Sequence, residues 1–203
     1  MKRRQKAAAQ EAEREARLAA EAAAAGPSAR EAEEEALAAL LAPLALRMKD
    51  IRADGHCLYR ALEDQLAATA SRTPGTSPRP SFLQLRKAAA DHIRAHPAAY
   101  AAFMDCPDGT SAADAVEQYC QELEGTAAWG GQLELSVLAQ VLKRTIVVHA
   151  VGLPPVTLGD DYGDNGPALK VCYLRHAFGL GEHYNSLESV AEADAALCLP
   201  DEL

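Results

Sequence analysis

The stretch DGHCLYRALEDQL (residues 54–66) places a cysteine directly after a tight turn and at the start of a helix. Leucines recur every fourth residue, which predicts a helix with one apolar face. The pair Asp54 and Gly55 favours a turn, because both residue types tolerate backbone angles that a helix interior does not. Cys57 therefore lies at or near the first helical turn, where unpaired N–H groups and the helix dipole favour an anion. We expect this setting to lower the thiol pKa of Cys57 and make it a nucleophile; a small buried residue at a helix start is the alternative.

A cysteine nucleophile needs a base, and the base needs an orienting group. His183 follows a glycine-rich turn and begins the segment HYNS, which predicts a strand. Side chains two residues apart on a strand share a face, so Asn185 lies beside His183. Its amide oxygen can accept the imidazole N–H and fix the tautomer. Cys57, His183 and Asn185 form a candidate triad, the thiol analogue of the serine triad; a packed histidine in a hairpin is the alternative.

Helical patterns come first along the chain and strand patterns come later. Segments with helical periodicity follow Cys57 and occupy residues 82–96, 111–125 and 130–144. Segments with strand character occupy residues 145–151, 168–177 and 183–189. The proline-rich residues 69–81 predict an exposed loop, and residues 154–167 a polar, turn-rich connection. This order predicts an α/β (α+β) fold with a small β-sheet between helices.

The N-terminal part of the chain differs from the rest. Residues 1–25 hold alanine and charged side chains with almost no large apolar ones, which predicts a solvated helical arm of coiled-coil character. Ser28 and Glu31 have capping-box spacing, which predicts a second helix through about Leu41. We expect an arm and linker over residues 1–45 and a folded domain over residues 46–203.

Composition narrows the class of protein. A net charge of −9 over 203 residues argues against binding to nucleic acid, which needs clustered positive charge. No apolar run approaches the roughly 18 residues of a membrane span, and the first residues lack the apolar region of a secretory signal. The five cysteines include no C-x-x-C pair, so we expect neither a disulfide framework nor a metal site. A reducing, cytoplasmic location is expected, with no membrane partner and no cofactor.

Three separated segments together resemble the ovarian-tumour (OTU) cysteine proteases, which remove ubiquitin. They are DGHCLYRA, TAAWGGQLELSVLA and RHAFGLGEHYNSLE, and the resemblance covers residues 51–189. The residues in and around these segments are most similar to those of the OTU-domain-containing protein 6 group. The resemblance implies a papain-like α/β sandwich that needs no metal. It also implies hydrolysis of the peptide or isopeptide bond after the terminal Gly-Gly of ubiquitin, through a thioester.

The resemblance implies a role for each residue of the candidate triad. Cys57 is the nucleophile, His183 the general base and then acid, and Asn185 the residue that orients His183. Asp54 matches an aspartate position in the nucleophile loop of the family; a purely structural turn and cap residue is the alternative. Backbone N–H groups of this loop, including that of Cys57, are suited to stabilising an oxyanion.

The resemblance also implies residues that bind the substrate. Trp129, Gly130 and Gly131 match a family segment in which glycine allows close backbone approach and the tryptophan walls a channel for a Gly-Gly tail. A tryptophan that packs at a helix start is the alternative. By the same resemblance, ubiquitin contacts residues 51–57, 148–158 and 172–182. The last of these segments includes Gly181 and Glu182, which are further candidate substrate-binding residues.

Two other functions compete with a deubiquitinating protease. One is a ubiquitin-binding adaptor whose cysteine is catalytically idle. The other is a scaffold that works through the arm, with the translation machinery as partner. An intact Cys/His/Asn set favours the enzyme, because a binding protein has no need of it.

Overall fold

A computed structural model of the protein describes residues 28–70, 79–104, 110–178 and 181–191. The helix predicted over residues 1–25, most of the proline-rich loop over residues 69–81 and most of the turn over residues 106–110 lie outside them. The helix that begins at Cys57 extends two residues into the predicted loop and ends at Ala70.

The described residues contain both helices and strands, in the order that the sequence predicts. The helices are α1 (Ala29–Leu41), α2 (Cys57–Ala70), α3 (Phe82–Ala95), α4 (Pro97–Tyr100), α5 (Ala112–Gly125) and α6 (Gln132–Leu142). The strands are β1 (Leu46–Lys49), β2 (Ile146–Ala150), β3 (Val156–Leu158), β4 (Leu169–Phe178) and β5 (Gly181–Ser189). Short 3-10 turns occupy Ala42–Leu44, Ala101–Phe103 and Asp160–Asn165. The α/β fold class is confirmed.

Local signals set the helix boundaries. The predicted capping box at α1 is present: the Glu31 N–H donates to Ser28 Oγ at 3.2 Å, and the Ser28 N–H donates to Glu31 Oε2 at 2.7 Å. These bonds satisfy N–H groups that have no partner inside the helix. A second local signal ends α3: its last residue is Ala95, shortly before Pro97.

The five strands form one mixed sheet in the order β1-β5-β4-β2-β3. β2 and β4 run parallel, and the other neighbours are antiparallel. The sequence analysis missed both edge strands. β3 lies in the predicted turn-rich connection, and β1 lies at the start of the predicted domain, where no strand was predicted. Each is only three or four residues long and is defined by its partner, with Leu46 of β1 opposite Ser189 of β5.

The two faces of the sheet are covered by different helices. A larger core joins α2, α3, α5 and α6 to one face, with Leu58, Leu62, Leu138 and Val171 among its buried residues. A smaller core lies on the other face under α1. Within the described ranges, no helix is both long and apolar enough to cross a bilayer.

The smaller core includes the second predicted helix. Leu37 and Leu41 of α1 are 1% and 0% exposed and pack with Leu46, Cys172 and Leu174. Burial of two leucine side chains contributes several kcal/mol, at about 1.5–3 kcal/mol each. Although α1 lies within residues 1–45, which we expected to form an arm and linker, it packs on the sheet.

Candidate active site

The structure brings the predicted triad residues to one place. Cys57 is the first residue of α2, and α2 packs against β5, which carries His183 and Asn185. The Tyr184 backbone lies close enough to the Cys57 sulfur to lower the pKa of its thiol. Because Tyr184 lies between the other two triad residues, this contact sets the sulfur beside the strand segment that holds them. Cys57 is partly exposed, whereas His183 and Asn185 are each 3% exposed.

The contacts of His183 define its tautomer. Its Nε2 lies 3.0 Å from Asn185 Oδ1 and 3.1 Å from the Ile51 carbonyl oxygen. Other hydrogen bonds fix the orientation of the Asn185 amide, with its oxygen toward the imidazole. Oδ1 also accepts the Ile51 N–H at 2.7 Å, and Nδ2 donates to Asp50 at 3.4 Å and to Met48 Sδ at 3.2 Å. Both partners of Nε2 are acceptors, so Nε2 carries the proton. In the neutral imidazole, Nδ1 is then the basic nitrogen.

The expectation of a lowered pKa for Cys57 is wrong. Burial raises the pKa of its thiol, and backbone hydrogen bonds from Tyr184 and Leu58 only partly oppose the rise. Desolvation disfavours the charged form of any acid, and here it outweighs the helix start. The sequence shows the helix start but not how deeply the fold buries it.

The nucleophile loop is closed by Asp54. Its carbonyl accepts the Cys57 N–H at 3.2 Å, and its carboxylate accepts the His56 N–H at 2.9 Å. The other carboxylate oxygen pairs with Arg60 at 3.0 Å. Asp54 thus makes the hydrogen bonds of a turn and cap residue, and its role in the reaction stays a prediction from the sequence. An oxyanion formed at this loop has to share the Cys57 N–H with the Asp54 carbonyl.

Arg86 is a residue that the sequence analysis missed. Its side chain is 0% exposed, and it donates to the carbonyls of Leu123 at 2.7 Å, Ala128 at 2.8 Å and Gly55 at 3.4 Å. The guanidinium also lies over the Tyr59 ring, 4.6 Å from its centroid. Leu123 is in the last turn of α5, where the helix dipole favours a cation. Arg86 therefore ties the nucleophile loop to the segment between α5 and α6.

The two segments that Arg86 joins are in direct contact. A Cβ on Gly55 would lie 1.9 Å from the Ala127 carbonyl oxygen, so only glycine fits at that position. On the far side, the buried Glu134 accepts the Gly131 N–H at 2.6 Å and a hydrogen bond from the Tyr119 hydroxyl. The segment that precedes α6 is thereby fixed at both ends.

A groove of about 330 Å³ includes in its lining Glu182 and Tyr184, the two neighbours of His183 in β5. It lies between the start of α6, the β2–β3 hairpin and the β4–β5 pair, and its lining includes Gly130, Gly131, Leu153, Val156, Glu182 and Tyr184. Three of the predicted substrate-binding residues, two glycines and a glutamate, are therefore together in one groove. Two of the three predicted ubiquitin-contacting segments, residues 148–158 and 172–182, also contribute to it.

The other two predicted substrate-binding residues lie elsewhere. Trp129 is 53% exposed and lines a separate depression with Tyr119 and Leu123. Gly181 begins β5 with a φ of +98°, a conformation that favours glycine, and it is not part of the groove lining. Among the described residues, no group of three or more His, Cys, Asp or Glu side chains is arranged to hold a metal ion.

Comparisons with known proteins agree with this geometry. A family model described as OTU-like cysteine protease matches residues 52–184. Deubiquitinase OTUD6B from Xenopus tropicalis is 38% identical over 192 residues, and the protein of that name from Homo sapiens is 38% identical over 188 residues. Each match covers 92% of this chain and 61% of the relative. The chain thus spans about three fifths of the length of these curated relatives.

Solved structures confirm the fold. The OTU domain of OTUD1 superposes with a TM-score of 0.58 at 19% identity, covering 78% of this chain and 96% of that domain. An OTU deubiquitinase from Wolbachia pipientis wMel, solved bound to ubiquitin, gives a TM-score of 0.50 at 12% identity, covering 73% of this chain and 99% of that one.

Proposed function

This chain belongs to the OTU-like cysteine protease family, and on that premise we propose that it is a deubiquitinase. It hydrolyses the peptide or isopeptide bond after the C-terminal Gly-Gly of ubiquitin. The observation that carries the proposal is the pair of His183 and Asn185, joined at 3.0 Å on the strand beside the Cys57 sulfur. Relatives named deubiquitinases and a fold neighbour bound to ubiquitin support the choice of substrate.

The triad supplies each proton transfer of a thioester mechanism. His183 takes the thiol proton at Nδ1, and the Cys57 sulfur attacks the carbonyl carbon of the terminal glycine. As the tetrahedral intermediate collapses, the imidazolium gives that proton to the leaving amine, and ubiquitin stays on the sulfur as a thioester. His183 then takes a proton from water as its oxygen attacks the thioester carbonyl. When the carbon–sulfur bond breaks, the imidazolium returns that proton to the Cys57 sulfur, and ubiquitin leaves as the free acid. Asn185 keeps the Nε2 proton in place throughout.

The raised pKa of Cys57 favours general-base catalysis over a preformed ion pair. Because burial favours the neutral form of Cys57, the resting site holds its sulfur as a thiol. The proton then moves to His183 as the substrate is attacked. The basic nitrogen required for this step is the one that the bonds to Asn185 and Ile51 leave unprotonated.

The groove suits an extended peptide tail. Its walls are mostly apolar side chains, and Gly130 and Gly131 bring backbone to its edge. A Cβ on Gly130 would lie 3.0 Å from the Tyr59 ring, so a larger residue there would need the ring to move. Glu182 supplies the acidic side chain of the lining. Burial raises the Tyr173 pKa to about 12, and the hydrogen bond between Tyr173 and Glu182 is a smaller cause of the same rise.

A ubiquitin probe with a thiol-reactive C-terminus tests the proposal on the full chain. We expect one covalent adduct on the wild-type protein, none on Cys57→Ala, and an undiminished adduct on Cys120→Ala, in which a buried cysteine of α5 is removed. A ubiquitin-fused reporter should be cleaved by the wild type and not by Cys57→Ala. Tight binding of ubiquitin without any adduct would instead identify an idle adaptor. Association with the translation machinery and a cytoplasmic location stay predictions from the sequence.

A further inference from the structure

The pairing of β4 with β5 changes register next to His183. Leu174 lies opposite His183, and Phe178 lies opposite Gly181, so three residues of β4 face the single β5 residue Glu182. Extra residues in one strand leave backbone groups outside the ladder and bend that strand. This bulge (residues 175–177) therefore lies opposite the groove residue Glu182, next to the candidate base His183.

Glu33 of α1 binds the backbone of the bulge. The Arg175 N–H lies 2.9 and 3.0 Å from the two oxygens of the Glu33 carboxylate, and the His176 N–H donates to Oε2 at 2.8 Å. Hydrogen bonds to an ionised acceptor are roughly twice as strong as those between neutral groups. One carboxylate thus holds two successive N–H groups of the bulge in a fixed direction.

Packing fixes the helix that presents Glu33. Leu37 lies one helical turn after Glu33 and is 1% exposed, and Leu41 one turn further on is 0% exposed. Ala177, the last residue of the bulge, is 2% exposed in the same core. The Glu33 carboxylate and the apolar core under α1 therefore both hold this part of β4.

We propose that Glu33 is a positioning residue for His183, acting through the bulge in β4. The proposal rests on the proposed function, because it takes His183 as the catalytic base. α1 precedes residues 52–184, which match the family model. The proposal therefore adds α1 to the part of this chain that positions the candidate catalytic residues.

Loss of the carboxylate would act on one side of His183 only. Asn185 and Ile51 hold Nε2 on the other side, and neither contacts Glu33. With the bulge N–H groups released to water, the Leu174–His183 rung loses its fixed neighbour, and the imidazole moves relative to the Cys57 sulfur. A small misplacement of a catalytic group costs up to about 100-fold in rate. For a displacement relayed through one strand, we expect a fall in kcat of about tenfold.

The test compares four full-length proteins: wild type, Glu33→Ala, Glu33→Gln and Glu35→Ala. Glu35 is exposed on the same helix and matches the loss of charge. Turnover of a ubiquitin-fused reporter is measured well below the thermal midpoint of each protein, and the His183 ring nitrogens are followed by nuclear magnetic resonance as the pH is changed. We expect kcat to fall, and the His183 signals to shift, in Glu33→Ala alone. Glu33→Gln should retain most of the activity, because its amide oxygen still accepts both N–H groups.

Wild-type kcat and unshifted His183 signals in Glu33→Ala would overturn the proposal. Equal losses in Glu33→Ala and Glu35→Ala would also overturn it, since they would reflect net charge. If the wild type itself shows no turnover, the proposed function fails, and the ring-nitrogen signals alone then decide whether Glu33 positions His183.

Discussion

The Oδ1 atom of Asn185 is shared between two donors, His183 Nε2 at 3.0 Å and the Ile51 N–H at 2.7 Å. Ile51 also offers its carbonyl oxygen to the same imidazole nitrogen at 3.1 Å. The His183 ring is thus oriented by a side chain of β5 and by the backbone that follows β1. Either partner alone favours the same tautomer, so neither is the sole determinant of it.

Replacement of Asn185 should reduce turnover without eliminating it. In Asn185→Ala the Ile51 carbonyl still accepts the Nε2 proton, so we expect kcat to fall by about 10–100-fold, the usual cost of losing an orienting partner. Steady-state cleavage of a ubiquitin-fused reporter measures the loss, with circular dichroism as the check on folding. Unchanged kcat in this variant would remove Asn185 from the triad.

The Asn185→Asp variant should keep more activity than Asn185→Ala but lose stability. It retains an acceptor for the imidazole, yet its second oxygen would face Asp50, which now accepts from the amide at 3.4 Å. Two carboxylates at that distance repel each other. The matched double variant Asn185→Asp with Asp50→Asn should recover the thermal midpoint, and failure to recover it would show that the repulsion is absent.

The alkylation rate of Cys57 should increase with pH to above pH 9. Burial raises the thiol pKa above its ordinary value of 9.0, so the thiolate forms only at higher pH. Mass spectrometry of the Cys57 peptide after timed treatment with iodoacetamide gives the rate, and His183→Gln should show the same rise. A wild-type plateau at about pH 6–8 that disappears in His183→Gln would instead indicate a thiolate paired with imidazolium.

Loss of Arg86 should destabilise the whole domain. Arg86→Met leaves the carbonyls of Leu123 and Ala128 without their buried donor, and each unsatisfied group costs about 1–3 kcal/mol. We therefore expect the free energy of unfolding to fall by about 3 kcal/mol in urea denaturation. The adjacent Lys87 is an exposed control that pairs with Asp91 at 2.8 Å. Lys87→Met should stay within about 0.5 kcal/mol, and equal losses in both variants would contradict the role of Arg86.

Two N-terminal deletions should differ sharply in stability. Removal of residues 1–25 should leave the thermal midpoint nearly unchanged, because that segment has almost no large apolar side chains to bury. Removal of residues 1–41 also removes the buried Leu37 and Leu41 and should lower the midpoint by many degrees. Leu37→Ala alone should cost about 2–5 kcal/mol. A large drop from the shorter deletion would show that the predicted arm packs on the domain.

The longer helices and strands could be predicted because each carries its own periodic pattern. The short strands β1 and β3 could not, since three or four residues hold too little pattern and the strands exist through their partners. Leu46 of β1, for example, pairs with Ser189. Residue spacing cannot show such pairing between segments that are distant in the chain.

The candidate site shows the same division. His183 and Asn185 were found because alternation along one strand is a local signal. Arg86 and Glu33 bind backbone groups far away in sequence, and backbone groups leave no residue pattern. One signal for Arg86 was present: it lies on the apolar stripe of α3 with Ala89, Ala90 and Ile93. A charged residue in such a stripe marks a buried charge that has partners.

The sheet order also has a consequence for how the protein folds. β5, the last strand of the sheet along the chain, inserts between β1 and β4, so Leu46 pairs with Ser189 across almost the entire described sequence. Pairings between distant segments form slowly, because the chain entropy of a long loop is lost before the contacts are gained. The helix that begins at Cys57 is local and can form early, whereas His183 and Asn185 join it only when β5 docks. A growing polypeptide therefore carries Cys57 long before the proposed base is in place, and the candidate triad is completed only with the last strand of the sheet.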